Sequence, residues 1–137
     1  MAASVWRRLR GPRDLGSRGE RAAARFLRRR SYKIVVRRDR SRIGELDMVA
    51  VDGRTVVFVE VKTRISDAAG HPAEAIGPEK RRKLTRLALA FLKRHDLLEN
   101  SARFDVIAVT WPKDARRPTI EHFQNAFEPV GEWQMFS

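Results

Sequence analysis

Two stretches of the chain carry apolar residues at helical spacing. In the first, the apolar face lies opposite a face of arginines and consists of Ala22, Ala23, Phe26 and Leu27. This helix is expected to begin at Ser17. In the second, Pro78 opens a helix that runs to about Arg94. An i, i+3, i+4, i+7, i+8 pattern predicts its buried stripe: Leu84, Leu87, Ala88, Phe91 and Leu92.

Between and after the helices, β-branched and apolar runs predict strands. They cover residues 32–36, 45–51, 55–61, 104–110 and 119–123. The Asp52-Gly53 pair predicts a hairpin between the second and third runs. The third run is apolar on both faces, which is typical of a central strand covered by helices on each side. The order of these elements predicts an α/β domain with a mixed sheet.

Charge is distributed unevenly along the chain. The 137 residues carry 29 Lys and Arg against 17 Asp and Glu, a net charge of +12. Residues 1–42, with fifteen basic and three acidic side chains, account for all of that excess. Residues 1–16 are rich in Arg and Gly and predict a flexible basic arm, ahead of a single folded domain over residues 17–137. Such a field attracts polyanions, of which nucleic acid is the commonest in a cell.

Composition excludes several other classes of protein and site. The absence of cysteine rules out disulfides and thiolate metal sites, and three scattered histidines argue against a zinc centre. The longest apolar run, Leu87–Leu92, is far too short to cross a bilayer. The basic segment lacks the apolar face of a helix that lies on a membrane, so we expect no membrane partner. The first residues carry no secretory signal, and we expect a cytoplasmic location.

Charged side chains interrupt both strands of the predicted hairpin. Alternation places Glu45 and Asp47 on one face of the first strand, and Glu60 and Lys62 on one face of the second. Burying such charges is costly unless they are paired or bind a metal. Oxygen ligands without His or Cys suit Mg²⁺ or Mn²⁺, held by Asp47 and Glu60, with Lys62 orienting a water for phosphodiester hydrolysis. The alternative is a cross-strand ion pair of Asp47 or Glu45 with Lys62.

Two segments of the hairpin resemble the signature of PD-(D/E)XK, or restriction-endonuclease-like, nucleases: Gly44-Glu45-Leu46-Asp47 and Phe58-Val59-Glu60-Val61-Lys62-Thr63-Arg64. The chain also resembles the YraN family of small bacterial proteins, with further matches at Gly19-Glu20, Arg103-Phe104-Asp105-Val106 and Asn125-Ala126-Phe127.

This resemblance implies a restriction-endonuclease-like α/β fold with an αβββαβ core, in which helices flank a central mixed sheet. It also implies a nuclease that depends on Mg²⁺ or Mn²⁺. The resemblance does not identify the substrate; the basic charge favours nucleic acid, and we expect DNA. Asp47, Glu60 and Lys62 occupy the motif positions, and Leu46 stands where the nominal motif has proline. The alternative is a protein that binds DNA or RNA and keeps the nuclease fold without catalysis.

Glu20 has two interpretations. Its spacing places it at the sheet-facing edge of the first helix, where related nucleases often add a carboxylate to the metal site. Ser17 and Glu20 also match a capping box, which needs no metal. Glu20 and Glu45 therefore stand as additional candidate catalytic residues beside the three motif positions.

Basic clusters outside the motif are candidates for contacts with backbone phosphates. They comprise Arg28, Arg29, Arg30, Arg37, Arg38, Arg64, Lys80, Arg81 and Lys83. Lys80 leads the apolar stripe of the second helix, where a lysine more often extends along the surface than contacts a ligand. The tryptophans at positions 6, 111 and 133 are dispersed, which favours packing over stacking on bases.

Deleting residues 1–16 should weaken nucleic-acid binding regardless of sequence, because the arm contains Arg7, Arg8, Arg10 and Arg13. The slope of log affinity against log salt should fall by up to about 0.9 for each of these four arginines. Binding titrations at several salt concentrations measure that slope, and an unchanged slope would place the binding surface elsewhere.

Overall fold

The computed structural model describes residues 15–68 and 70–131. Its elements, in chain order, are α1 (Leu15–Arg29), β1 (Lys33–Arg40), β2 (Glu45–Asp52), β3 (Thr55–Arg64), a 3₁₀-helix (Pro72–Ala75), α2 (Pro78–Arg94), β4 (Ala102–Thr110) and β5 (Thr119–Phe127). The strands form one sheet in the order β1-β2-β3-β4-β5. All pairs are antiparallel except β3 with β4, which α2 connects. The predicted α/β fold with a mixed central sheet is confirmed, and it is compatible with a restriction-endonuclease-like core.

The central strand β3 is covered on both faces. Val56 and Phe58 pack beneath α2, while Val57 and Val59 pack beneath α1. All four side chains are at most 3 % exposed. Full burial of each is worth about 1.5–3 kcal/mol, so this strand anchors both layers of the core. The sequence prediction of a strand buried on both faces is confirmed.

The two helices differ in how closely they follow prediction. The second helix has the predicted bounds, and every residue of its apolar stripe is buried. The first helix begins at Leu15, so Ser17 and Glu20 lie inside it and form no capping box at its start. Most of the predicted basic arm, residues 1–14, lies outside the described residues. No helix within the described ranges combines the length and apolar character needed to cross a membrane.

The edge strands extend beyond their apolar runs. Strand β1 continues to Arg40 and β5 to Phe127, well past the predicted ends at residues 36 and 123. Their exposed positions carry polar side chains except at Val35, which is 51 % exposed. Apolar patterning marked only part of each strand, and it missed Phe127, which packs in the core beneath α2.

Strand β2 bends at Asp47. Leu46 packs in the core beneath α2, whereas Met48 packs in the core beneath α1. In a regular strand residues two apart share a face, so the alternation is broken between them. The ladder with β3 ends at the pair Met48–Val59. On the other side of the bend, Arg38 of β1 has a φ of 56°, a left-handed conformation that is uncommon for a non-glycine residue.

A buried polar cluster joins β4 and β5 on the α1 side of the sheet. Asp105 is fully buried and accepts hydrogen bonds from Arg103 Nε (3.0 Å) and the Asn125 N–H (2.9 Å). His122 Nε2 lies 2.7 Å from its other oxygen. Burial alone would raise the pKa of Asp105, but the bonds from His122, Arg103 and Asn125 hold that pKa below its usual value. Nothing in the local sequence indicates that His122 has a carboxylate partner.

Gly19→Ala should destabilise the fold, because α1 crosses β3 in contact with Thr63. A Cβ on Gly19 would lie 2.8 Å from Thr63 Cγ2 and 2.9 Å from its Cβ, which is too close for real atoms. Relieving this overlap should cost about 1–3 kcal/mol of unfolding free energy, measured by urea denaturation. Gly77→Ala is the control, since no atom lies within 4 Å of its added Cβ. Equal stabilities of the two variants would contradict the close approach.

Candidate active site

Strands β2 and β3 bring Asp47 and Glu60 together where their ladder ends. Asp47 Oδ2 accepts a hydrogen bond from the Val61 N–H at 3.0 Å. The side chain thus satisfies a backbone donor that a regular ladder would pair with a carbonyl. Glu60, the preceding residue on β3, is only 6 % exposed. The bend in β2 therefore places the motif aspartate against the motif glutamate.

The two carboxylates repel each other in a partly dry site. Burial and, second, the charge of Glu60 raise the pKa of Asp47 to about 7. The Val61 N–H and the ammonium of Lys80 act in the opposite direction without cancelling that effect. Near neutral pH the pair consequently holds more negative charge than its protein surroundings compensate.

Lys80 of α2 lies beside this pair. Its Nζ is 3.4 Å from Glu60 Oε2, and its side chain is 46 % exposed whereas that of Glu60 is 8 % exposed. At that distance the contact is an ion pair rather than a strong hydrogen bond, and an entering anion can compete for the lysine. The sequence favoured a solvated lysine at a helix start. The structure brings Lys80 to the motif, one turn before Leu84 of the buried stripe.

Lys62 follows Glu60 on the same face of β3. Its side chain is half-buried, and among the described residues it forms no ion pair with Asp47 or Glu45. The cross-strand ion pair considered from spacing is therefore not the arrangement observed. The basic partner of the motif glutamate comes from α2 instead.

Two other candidate carboxylates pair with arginines. Glu45 Oε2 lies 3.3 Å from Arg40 Nε on the neighbouring strand. The expectation that Glu45 shares a face with Asp47 assumed regular alternation, which the bend in β2 interrupts. Glu20 Oε1 accepts a hydrogen bond from Arg38 Nε at 2.8 Å.

The expected convergence of three carboxylates is thus not observed. Residues 15–68 and 70–131 contain no group of three or more acidic or histidine side chains arranged to hold a metal ion. Within the described ranges, Asp47 and Glu60 remain as the candidate side-chain ligands, and their oxygen donors suit a hard cation such as Mg²⁺ or Mn²⁺. A pair of carboxylates is a sufficient protein contribution for Mg²⁺, which commonly takes its other ligands from water and phosphate.

The basic residues predicted to contact phosphate fall into three groups. Six have exposed side chains: Arg28, Arg29, Arg30, Arg38, Lys80 and Lys83. Arg64 and Arg81 instead stabilise the loop before α2, donating to the carbonyls of Gly70 (2.8 Å) and Ile76 (2.7 Å). Arg37 is half-buried, and its Nε has no hydrogen-bond partner in the described part of the chain.

Comparison with known sequences places this site in a defined family. Residues 19–109 match the model of the uncharacterised protein family UPF0102. The chain belongs to UPF0102, the YraN family. The UPF0102 protein of Geobacter sulfurreducens is 52 % identical over 115 residues, which cover 83 % of this chain and 88 % of that protein. The UPF0102 protein of Rhodopirellula baltica is 47 % identical over 121 residues, covering 86 % of this chain and 72 % of that one.

The segment matched by UPF0102 includes the motif residues Asp47, Glu60 and Lys62 together with Lys80. It begins at Gly19, where α1 contacts β3, and ends on β4. Because the family is uncharacterised, the activity of its members has to be argued from the site itself.

Neutralising Asp47 should stabilise the metal-free UPF0102 protein above neutral pH. The pKa of Asp47 is raised from 3.8 to about 7, so the folded protein holds this proton more tightly than the unfolded chain does. The free energy of unfolding should therefore fall as pH rises from about 4 through about 7. Asp47→Asn keeps an acceptor for Val61 and should abolish this fall. Its melting temperature should exceed that of the wild type at pH 8 by about 4 °C per kcal/mol gained, and match it below pH 4.

Mg²⁺ or Mn²⁺ should raise the melting temperature of the wild type and of Glu45→Gln, but not of Asp47→Asn or Glu60→Gln. Glu45→Gln is the control because its carboxylate pairs with Arg40 near the surface. If the motif carboxylates serve mainly to neutralise lysine, removing either should cost about 3–5 kcal/mol and the wild type should not respond to metal. That combination would contradict a metal site here.

Proposed function

We propose that this protein is a divalent-metal-dependent nuclease that hydrolyses phosphodiester bonds, with DNA as its substrate. The observation that carries the proposal is the Asp47–Glu60 pair, two mutually repelling carboxylates at the bent end of the β2–β3 ladder. Lys80 on α2 supplies positive charge beside them, and Lys62 lies two residues beyond Glu60 on β3. Carboxylates with an adjacent ammonium are a donor set suited to phosphoryl chemistry.

Each residue has a distinct part in this mechanism. Asp47 and Glu60 hold the cation, Mg²⁺ or Mn²⁺, through carboxylate oxygens. When bound, the cation neutralises negative charge that develops on the phosphate oxygens. Lys62 orients the attacking water and stabilises its deprotonated form. Lys80 compensates Glu60 and is exposed enough to contact a phosphate that enters the site.

The wider surface supports a nucleic-acid substrate. The net charge of +12 attracts polyanions over distances of about a Debye length, roughly 8–10 Å. This mechanism uses neither Glu20 nor Glu45, because both carboxylates pair with arginines of β1. The proposal implies a protein that works in the cytoplasm, where bacterial nucleic acid lies.

The ion pair between Lys80 and Glu60 favours a second candidate function. It compensates one motif carboxylate without a metal, as expected of a protein that binds DNA or RNA through its basic surface and does not cleave it. The two functions differ in whether purified protein turns over any substrate.

Lys62→Ala should lower the cleavage rate by about 100-fold or more and leave substrate affinity within a few-fold, because Lys62 acts on the water and not on substrate positioning. The assay is a screen with Mg²⁺ and with Mn²⁺ over duplex, single-stranded, flap and four-way-junction DNA, with RNA alongside. Lys93→Ala is the matched control, an exposed lysine in the last turn of α2.

Equal rates in Lys62→Ala and Lys93→Ala would contradict the role of Lys62. If the wild type binds these substrates but cuts none with either metal, the non-catalytic function replaces the nuclease.

A further inference from the structure

A cleft of about 420 Å³ opens on the α1 side of the sheet, the face opposite α2. Arg25, Phe26 and Arg29 of α1 form one wall, and the segment after β4 forms the other with Trp111, Arg116 and Arg117. None of the lining residues in the described part of the chain is acidic. The cleft is separate from the carboxylate site, which lies beneath the start of α2.

In the part of the chain that the structure describes, the arginines of this cleft have no carboxylate partner. Within residues 15–68 and 70–131, no ion pair joins Arg25, Arg29, Arg116 or Arg117 to an acidic side chain, and all four are exposed. Four guanidinium groups around one opening repel one another, and an anion that enters relieves the repulsion. Elsewhere two arginines of β1 are paired: Arg38 with Glu20 and Arg40 with Glu45.

Aromatic rings give the cleft flat surfaces. Trp111 packs partly against the core, and its Nε1 donates to the Ala115 carbonyl at 2.9 Å, which fixes the ring. The guanidinium of Arg18 lies 4.0 Å from the centroid of that ring, and the guanidinium of Arg30 lies 3.6 Å from that of Phe26. Aromatic faces and stacked guanidinium planes are the surfaces on which unpaired bases stack. The sequence favoured a packing role for Trp111. The ring does pack partly against the core, but it also lines the cleft.

The cleft lies at the same end of the sheet as the motif lysine. The backbone N–H of Trp111 donates to the backbone carbonyl of Arg64 at 2.8 Å, and Arg64 is two residues beyond Lys62 on β3. A nucleic-acid strand bound in the cleft would therefore lie at the end of the sheet where β3 carries Lys62.

We propose that this cleft binds a single-stranded segment of nucleic acid, with phosphates at Arg116 and Arg117 and a base against Trp111 and the guanidinium of Arg18. A cavity of this volume takes a ligand of small-molecule size, such as an unpaired nucleotide, and not a double helix. The substrate class that follows is nucleic acid with a single-stranded portion, such as a tail or a gap. Naming that substrate rests on the proposed function, whereas binding in the cleft requires no cleavage.

The test measures binding without metal, in excess chelator, with the full-length chain. The labelled probes are an oligothymidylate of about twelve residues, an abasic strand of equal length and charge, an oligouridylate, and a duplex of the same length. The cleft variant is Arg116→Ser/Arg117→Ser. The control is Arg54→Ser/Lys93→Ser, which removes the same charge from exposed residues near the opposite end of the sheet. Trp111→Leu tests the contribution of base stacking.

The cleft variant should bind oligothymidylate about tenfold more weakly at about 0.1 M salt, and its salt slope should fall by about 1.4, that is 0.7 for each phosphate contact. The affinity of the control variant for oligothymidylate should fall by less than about threefold. The affinity for the duplex should change by the same factor in both variants. Trp111→Leu should reduce the preference for oligothymidylate over the abasic strand. Thermal melts confirm that each variant is folded.

Equal losses of affinity in the cleft and control variants would overturn the proposal, and so would an equal loss for single strand and duplex. In either case binding would depend only on the overall charge of the protein. Displacement of the oligonucleotide by polyglutamate at matched charge concentration would also overturn it and reassign the cleft to acidic peptides. Binding in the cleft and cleavage at the carboxylate site can fail separately. A preference for single strands without cleavage would contradict the nuclease function and support binding in the cleft. Cleavage without that preference would contradict binding in the cleft and support the nuclease function.

Discussion

The hydrogen bond from the Val61 N–H to Asp47 is the interaction on which the candidate site depends. It replaces a backbone pair at the point where β2 leaves β3, and it draws a carboxylate into a partly dry environment beside Glu60. Without the bend, Asp47 would lie in a regular ladder with no reason to contact β3 through its side chain. Its pKa of about 7 follows from this placement, because burial and a neighbouring carboxylate both oppose its ionisation.

A buried carboxylate that accepts a backbone N–H occurs a second time, with the opposite shift in its pKa. Asp105 also accepts a backbone N–H at a ladder irregularity, from Asn125, whose φ is 50°. There Arg103 and His122 complete the hydrogen bonding and the pKa falls below its usual value, so the cluster is compensated within the fold. Asp47 lacks such compensation. The contrast separates a carboxylate that stabilises β4 and β5 from one that is poised to bind something.

Sequence reasoning recovered what depends on local periodicity. The Asp52-Gly53 turn, the doubly buried β3 and the α2 stripe all follow from spacing within a few residues, and each was predicted. The bend at Asp47 was not, because strict alternation assumes a regular strand, and this is why Glu45 was placed with Asp47. The contacts of Lys80 with Glu60 and of His122 with Asp105 are set by packing between distant segments, which no local pattern encodes. The left-handed Arg38 likewise carries no signal in residue type.

Among the strands that the structure describes, β1 leaves one side of its backbone unpaired, and its composition bears on how copies of this chain meet one another. An exposed strand edge is a template for pairing with another molecule, and natural proteins block it with charge and bulges. Strand β1 has both, with four basic residues among its eight and a register shift between Ile34 and Val36. The arginines that attract polyanions thus also guard against self-association through sheet extension. A polyanion that neutralises this edge would remove that guard, so crowding on nucleic acid is the condition under which aggregation through β1 becomes favourable.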